Sequence, residues 1–190
     1  MLGKIVTIIF LIFRVCNVDG DEDCPTIIKR SQWGGKKASS VNYLIVPIPY
    51  VVIVHTVTPE CNTKAQCSTR VESIRSYHMD ILQWHDIGYS FLIGGDGTVY
   101  EGCGWNREGA HTFGYNTKSV GIAFIGNFQD KLASDKMLEV AHKLILCGKS
   151  QGILRDDVRV IGARQVVSTT SPGNELFGQI QNWPEFYSDV

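Results

Sequence analysis

The sequence predicts one α/β domain in which a mixed β-sheet is packed by about three helices. Short apolar runs such as Val51–Val54 alternate with longer segments in which apolar residues recur every three or four positions. The chain has 190 residues, of which 44% are hydrophobic, and it contains no internal repeat and no linker-like tract. A chain of this length and composition suits a single hydrophobic core covered by helices.

The net charge restricts the binding partners of the protein, and the N-terminal segment indicates its location. A net charge of -1 and the lack of a basic run exclude bulk attraction to nucleic acid or to anionic membranes. Residues 1–20 are predicted to be a secretory signal peptide, because one lysine precedes the apolar run Ile5–Phe13 and polar residues follow it. The alternative is a non-cleaved anchor. Residues 21–190 then form the secreted, extracellular domain.

The cysteine spacing favours disulfides, since six cysteines suit an oxidising compartment. One leaves with the signal peptide. Cys61 and Cys67 form a local pair, and Cys24 could pair with Cys147 late in a predicted helix. Cys103 is left over, either as a buried thiol or as one half of an intermolecular disulfide. No C-x-x-C spacing is present, which argues against a zinc finger or a thioredoxin-like site.

The first quarter of the chain leads into a central strand. Residues 25–32 are predicted to form a covering arm, and Asn42–Pro49, with two prolines, an edge segment. Val51–Val54 is a run of four apolar β-formers, typical of a strand buried on both faces. His55 and Thr56 follow at its end, where polar groups can emerge from the core.

A helix is predicted next, beginning at the capping box Thr69–Glu72. It ends near Asp86, before Gly88. Apolar residues and one histidine are expected on a single inner face of this helix: Val71, Ile74, His78 and Ile81.

Two strands and a long loop follow this helix. Tyr89–Ile93 and Thr98–Tyr100 are predicted strands joined by the hairpin turn Gly94–Gly97. Residues 102–116 form a glycine-rich loop in which aromatic side chains lie beside imidazole and amide groups: Trp105, Phe113, Tyr115, His111 and Asn116. This composition fits a carbohydrate- or peptide-binding surface, or equally a loop that its aromatic residues pin to the core.

The last third of the chain supplies the remaining elements. Val120–Ile125 is a predicted buried strand, 134–150 a helix with Ser134 as its N-cap, and Val158–Ile161 a short strand. Ser171–Pro172 is predicted to start a final helix, with the proline in its first turn. The buried face of that helix would carry Leu176, Phe177, Ile180 and Trp183.

From Cys24 onward the chain resembles short, secreted peptidoglycan recognition proteins, in particular the insect-type soluble receptors upstream of Toll signalling. The resemblance rests on motifs that occur in the family's order along the chain: Val-Val-Ile-Val-His-Thr-Val-Thr-Pro-Glu-Cys at 51–61, Asp-Ile-Gly-Tyr at 86–89, Gly-Gly-Asp-Gly-Thr-Val-Tyr-Glu-Gly at 94–102, Gly-Ala-His-Thr at 109–112, Gly-Ile-Ala-Phe-Ile-Gly-Asn-Phe at 121–128, Ser-Pro-Gly at 171–173 and Trp-Pro at 183–184. It implies an N-acetylmuramoyl-L-alanine amidase-like fold with a cleft for a muramyl peptide.

The resemblance also implies that the metal centre of the enzymatic relatives is missing. Catalytic members hold one zinc ion with two histidines and one cysteine, and a tyrosine assists. The three ligand positions are here Val54, Ala163 and Ser171, and only the tyrosine remains, as Tyr89. Valine and alanine have no donor atom, and a neutral hydroxyl is a poor zinc ligand. We therefore expect no cofactor and no zinc amidase activity.

The ligand-contacting positions of the family are kept. The resemblance assigns muramyl-peptide contacts to six residues: His55, Thr56, His78, Tyr89, His111 and Asn116. We add four further candidates that belong to the specificity positions or to the aromatic loop: Gln83, Trp84, Cys103 and Trp105.

Three of these positions, Gln83, Trp84 and Cys103, bear on specificity for the third residue of the stem peptide. In the family, a Gly-Trp pair goes with diaminopimelate and an Asn-Phe pair with lysine, and this chain has Gln83–Trp84. Diaminopimelate binders also place an arginine where this chain has Cys103, to pair with the extra carboxylate. We therefore expect a preference for lysine-type peptidoglycan, although Arg107 could substitute for the missing arginine.

The resulting hypothesis is a secreted pattern-recognition receptor of innate immunity. It would bind bacterial peptidoglycan and signal through protein partners such as an immune protease cascade. The alternatives are a zinc amidase, a metal-free hydrolase that uses Ser171 as nucleophile and His55 as base, and an ordinary disulfide-stapled domain without a cleft.

Overall fold

A six-stranded mixed sheet forms the centre of the structure, a computed structural model that describes residues 24–190. The predicted signal peptide, residues 1–20, and the start of the domain at residue 21 lie outside the described residues. The strands are β1 (Ile27–Ile28), β2 (Ile48–His55), β3 (Phe91–Ile93), β4 (Val99–Glu101), β5 (Ser119–Phe124) and β6 (Leu154–Gly162). Their order is β1-β4-β3-β5-β2-β6, and only β3 and β4 run antiparallel.

Three helices complete the fold: α1 (Lys64–Ser76), α2 (Asp135–Ser150) and α3 (Asn174–Ile180). The predicted architecture, a mixed sheet packed by about three helices, is confirmed. In this part of the chain, no helix is long and apolar enough to cross a membrane.

Strand β2 shows why the sheet needs helices on both faces. Val51 and Ile53 belong to one core cluster, whereas Val52 and Val54 belong to the other. Successive side chains of a strand point to opposite faces, so a run of four apolar residues must be covered twice. Helices α2 and α3 cover the first face, and α1 covers the second.

Two predictions for the N-terminal segment need correction. The arm at residues 25–32 contributes a short strand, β1, which pairs with β4 at the sheet edge. Pro49 lies in the interior strand β2 rather than in an edge segment. Its ladder position is tolerated because the pairing of β2 with β6 shifts register between Ile48 and Tyr50, where no N–H is needed from the proline.

The predicted start of the first helix, at Thr69, is wrong. Helix α1 begins at Lys64, and Thr63 is its N-cap, with a hydroxyl that accepts the Gln66 N–H at 3.3 Å. Thr69 lies inside the helix and donates its hydroxyl to the Ala65 carbonyl at 3.1 Å. A Thr-x-x-Glu pattern can thus occur within a helix whose cap lies six residues earlier.

Ile81 was predicted on the inner face of this helix, and that prediction is also wrong, since the side chain is 69% exposed. Residues Tyr77–Ile81 form a π-helical turn at the end of α1. The wider turn changes the angular spacing, so His78 stays buried and Ile81 rotates outward.

The last helix begins at Asn174, after Gly173, and not at Ser171–Pro172. Ser171 and Pro172 belong to the preceding loop, where Ser171 lines the cleft described below. Leu176 and Ile180 are buried as predicted, whereas Phe177 and Trp183 are partly buried against the same cluster. Strand β6 is longer than predicted, extending from Leu154 to Gly162.

The structure contains both predicted disulfides, Cys61–Cys67 and Cys24–Cys147. The first joins the loop after β2 to α1, and the second ties the start of the described chain to α2. Cys103 is a buried free thiol.

Candidate functional site

The carboxyl end of β2 opens into a cavity of about 420 Å³, which we call the hydroxyl pocket. Five serine or threonine residues contribute to its wall, together with imidazole, phenol and apolar groups. Its lining comprises Val54, His55, Thr56, Val57, Tyr89, His111, Thr112, Phe113, Ala163, Val167, Thr169, Thr170 and Ser171.

A second cavity of about 290 Å³, the tryptophan pocket, lies beside it. Its lining comprises Ser40, Val41, Asn42, Gln83, Trp84, His85, Asp86, Ile87, Glu108, Gly109 and Ala110. Gly109 and Ala110 precede His111 directly in the chain, so one loop forms a wall of both pockets. We refer to these two neighbouring pockets together as the cleft.

His55 is fixed at the strand end by its own ring. Its Nδ1 accepts the Phe128 N–H at 3.2 Å, so the neutral ring carries its proton on Nε2. Burial, and secondarily the charge of Arg164, lower the pKa of His55. Thr56 is held by its hydroxyl, which contacts the Thr58 hydroxyl at 2.8 Å and accepts the Gly126 N–H at 3.1 Å. The sequence therefore delivers two ordered polar side chains to the cleft.

His78 contacts one lining residue of each pocket, Trp84 of the tryptophan pocket and Tyr89 of the hydroxyl pocket. Its ring lies between Trp84, with centroids 4.6 Å apart, and Tyr89, with centroids 5.3 Å apart. Its Nδ1 accepts the Gly88 N–H at 3.0 Å, and burial lowers its pKa to about 4. Burial also raises the pKa of Tyr89 to about 12. At neutral pH both side chains are uncharged hydrogen-bond donors.

His111 and Asn116 shape the loop that both pockets share. The Asn116 Oδ1 accepts the N–H groups of His111 at 3.0 Å and Thr112 at 2.8 Å. The His111 ring lies against Gly121 of β5, where a Cβ would collide with it, which explains a glycine inside a buried strand. Burial lowers the pKa of His111 to about 4, and the Ser119 backbone opposes that shift.

The three positions to which the family resemblance assigns zinc ligands come together in the hydroxyl pocket. Val54 and Ala163 are buried and have no donor atoms. The Ser171 hydroxyl accepts the backbone N–H of His55 at 3.1 Å. The residues present do not fit a zinc ion, because two of the three positions cannot coordinate a metal.

The specificity candidates lie at or near the tryptophan pocket. Gln83 has a φ of 59° and donates its Nε2 to the Asp80 carbonyl at 2.8 Å. This left-handed residue turns the chain so that Trp84 folds back over His78, whose carbonyl accepts the Trp84 N–H at 2.9 Å. Cys103 lies in an adjoining cavity, where burial raises its thiol pKa to about 12.

Trp105 lines the adjoining cavity that also contains Cys103, and it lines neither pocket of the cleft. Its indole packs edge-to-face on Phe91, with centroids 4.5 Å apart, against the core cluster that α2 covers. The cleft lies on the opposite side of the sheet, where Val54 and Tyr89 pack against the other cluster. Trp105 thus packs on the core with one part of its ring, and its assignment as a ligand contact stays a prediction.

Sequence reasoning missed two features of the cleft. Thr169 and Thr170 line the hydroxyl pocket, and their place between two expected metal positions, Ala163 and Ser171, was the available signal. The buried ion pair of Arg30 with Asp86, two contacts of 2.7 Å, supports the tryptophan pocket. It joins positions 56 residues apart, and no local pattern indicates such a pair.

The N-acetylmuramoyl-L-alanine amidase family model matches residues 46–174. Peptidoglycan-recognition protein SA of Drosophila melanogaster is 50% identical over 167 residues, which are 88% of this chain and 82% of that protein.

Solved structures agree with this match. The structure of PGRP-SA of Apis mellifera has 69% identity and a TM-score of 0.86, covering 87% of this chain and 100% of that one. A peptidoglycan recognition protein LE, solved in complex with tracheal cytotoxin, a monomeric diaminopimelic acid-type peptidoglycan, has 41% identity and a TM-score of 0.84. It covers 86% of this chain and 96% of that one. The chain therefore belongs to the peptidoglycan-recognition proteins, which share the N-acetylmuramoyl-L-alanine amidase fold.

Proposed function

We propose that the protein is a secreted pattern-recognition receptor of innate immunity that binds the muramyl peptide of bacterial peptidoglycan in this cleft. One observation carries the proposal: the six side chains to which the family resemblance assigns ligand contacts line the cleft or order its walls.

The protonation states support binding of a neutral, amide-rich ligand. His55 and His78 accept a backbone N–H on Nδ1, so each keeps its Nε2 proton for donation. The hydroxyl groups of the first pocket can both donate and accept. A sugar peptide presents many carbonyl, amide and hydroxyl groups, and matching them in a partly dry cleft gives specificity.

The donor set argues that this receptor is not a zinc amidase. Val54 and Ala163 stand at two of the assigned ligand positions and cannot coordinate a metal, and the neutral Ser171 hydroxyl, which accepts the His55 N–H, is a poor zinc ligand. The alternative of a Ser171–His55 hydrolase is weakened by the same contacts. A base must accept the nucleophile's proton, but the lone pair of His55 on Nδ1 is taken by the Phe128 N–H.

Relatives support the finer parts of the proposal. One relative was solved with a peptidoglycan fragment, which supports peptidoglycan as the ligand class. The proposed export and the signalling through protein partners, such as an immune protease cascade, rest on the signal-peptide pattern and on the family resemblance. A preference for lysine-type polymer follows from the neutral thiol of Cys103, which cannot pair with an extra carboxylate.

A retention assay on insoluble lysine-type and diaminopimelate-type peptidoglycan tests the proposal. Tyr89→Phe removes one donor of the cleft, so we expect binding about fivefold weaker, the scale of a single hydrogen bond. Tyr77→Phe is the matched control, because Tyr77 is exposed and lies outside both pockets.

The expected result is retention of the wild-type protein and of Tyr77→Phe, with the lysine-type polymer preferred. Failure of the wild-type protein to bind either polymer would contradict the proposal. Equal retention of Tyr89→Phe would remove this cleft as the binding site.

A further inference from the structure

Phe113 is an aromatic side chain that the fold itself does not use. It is 90% exposed, although it lies on the wall of the hydroxyl pocket. A side chain of this size is stabilised when its apolar surface is buried, and its exposure on a pocket wall leaves that surface available to a ligand.

The turn that carries Phe113 is rigid. Thr112 is buried, and its carbonyl accepts the N–H groups of Tyr115 at 3.0 Å and Asn116 at 3.1 Å. Gly114 follows Phe113 with a φ of 76°, a left-handed conformation that glycine adopts without strain. The ring is therefore presented from a fixed backbone, which reduces the entropy lost when a ligand packs on it.

A second exposed apolar group lines the same pocket from another segment. Val57 is 61% exposed and has a φ of 54°, which is unusual for a β-branched residue. Its N–H donates to the Gly126 carbonyl at 2.9 Å, which holds the residue in this conformation. The pocket thus has two exposed apolar side chains, contributed by separate segments, beside its five hydroxyl side chains.

The charge distribution indicates which part of a ligand meets Phe113. The described residues that line the hydroxyl pocket include no Asp, Glu, Lys or Arg, whereas Asp86 and Glu108 line the tryptophan pocket. A pyranose ring offers an apolar C–H face and a rim of neutral hydroxyl groups, and it carries no charge. An aromatic plane beside five hydroxyl side chains complements that chemistry.

We propose that Phe113 is a stacking platform for a pyranose ring of the ligand, with Val57 as a second apolar contact. Phe113 is then a specificity-determining residue for the glycan part, as distinct from the stem peptide. This inference rests on the proposed function and extends it.

Isothermal titration with two ligands tests the proposal: a disaccharide–peptide repeat, and the same stem peptide acetylated at its N-terminus without sugar. Phe113→Ala should weaken binding of the disaccharide–peptide roughly threefold to tenfold, the scale of one aromatic contact, and change binding of the bare peptide less than twofold. Phe113→Trp should retain binding. Val57→Asn, which tolerates the left-handed backbone, should cause a smaller loss on the same ligand.

Ile45→Ala is the matched control, since Ile45 is apolar, 89% exposed and outside the cleft. It should change neither affinity. Equal losses on both ligands, or no loss on the disaccharide–peptide, would overturn the stacking role of Phe113. Wild-type affinity that is the same with and without sugar would also overturn it. Wild-type protein that binds neither ligand would refute the proposed function itself.

Discussion

The two pockets of the cleft differ in how they are built. The hydroxyl pocket is neutral and is formed by the ends of buried strands and by one hydrogen-bonded turn. The tryptophan pocket carries two carboxylates, and one of them, Asp86, is paired with the partly buried Arg30. The shape of the hydroxyl pocket is held by hydrogen bonds to the backbone, whereas the shape of the tryptophan pocket is held by the ion pair of Asp86 with Arg30.

On the proposed function, this difference explains how a cleft without zinc ligands could still bind a muramyl peptide. Val54 and Ala163 remove the capacity of the hydroxyl pocket to coordinate a metal. They leave its neutral polar side chains in place, because side chains such as His55 and Asn116 are held by hydrogen bonds to backbone N–H groups. The charged pocket would not tolerate comparable losses, since removing one partner of an ion pair leaves the other charge buried.

Arg30→Met should have the largest effect, because it breaks the charge balance of the tryptophan pocket. The Arg30 and Asp86 side chains are only 13% and 11% exposed. Arg30 also donates to the Gly102 carbonyl at 2.6 Å. We expect the free energy of unfolding to fall by roughly 3–5 kcal/mol, measured by urea denaturation.

Two variants sharpen that experiment. Arg155→Met breaks an exposed pair with Asp157 and should lower the free energy of unfolding far less than Arg30→Met does. Arg30→Met combined with Asp86→Leu should recover part of the stability. Equal losses for the buried and the exposed pair would show that the tryptophan pocket does not depend on its charges.

Acid should destabilise both pockets through their buried histidines. The pKa values of His78 and His111 are lowered from 6.5 to about 4, so the unfolded state takes up these protons first. Their contribution to stability is complete above pH 6.5 and is lost as the pH falls towards 4. Each should contribute about 2 kcal/mol of destabilisation at pH 4.5, measured from urea midpoints against those at pH 7.5.

Variants assign that loss to particular residues. His78→Gln should flatten the pH dependence, whereas the exposed His85→Gln should retain the wild-type slope. Parallel curves for the wild-type protein and His78→Gln would contradict the assignment of a buried neutral imidazole between the pockets.

Cys103, beside the tryptophan pocket, should show the smallest effect. The thiol is 4% exposed and its raised pKa keeps it neutral. We expect less than about a tenth of Cys103 to react with iodoacetamide at pH 8 in the time that the unfolded protein reacts completely, as measured by mass spectrometry. Rapid labelling, or a covalent dimer under non-reducing conditions, would instead make it a surface thiol.

Local patterns predicted the elements that carry a clear signal in a short stretch of sequence. The buried strand β2 follows from its run of four apolar β-formers, the hairpin between β3 and β4 from its turn residues, and the extent of α2 from a 3.6-residue repeat. The start of α1 was missed because Thr69 and Glu72 match a cap pattern inside a helix. Ile81 was misplaced because a π-helical turn breaks the period.

Site residues could be predicted from the sequence where they belong to a recognisable motif. Contacts between segments that are distant in the sequence could not. His55 and His111 stand in recognisable motifs and line the same pocket, and Asn116 of the glycine-rich loop binds the backbone of His111. Trp105 belongs to the same glycine-rich loop as His111, but its ring packs against the core cluster on the other side of the sheet. The contact of Arg30 with Asp86 depends on tertiary structure alone.

The central claim, binding without zinc hydrolysis, is tested most directly by analysing peptidoglycan products. The wild-type protein is incubated with lysine-type polymer, with and without added zinc, and soluble fragments are identified by mass spectrometry beside a zinc amidase of the same family. We predict that the wild-type protein stays bound to the polymer and releases no stem peptide in either condition. Zinc-dependent release would contradict the reading of Val54, Ala163 and Ser171 as a lost metal site, and zinc-independent cleavage would contradict a receptor without hydrolytic activity.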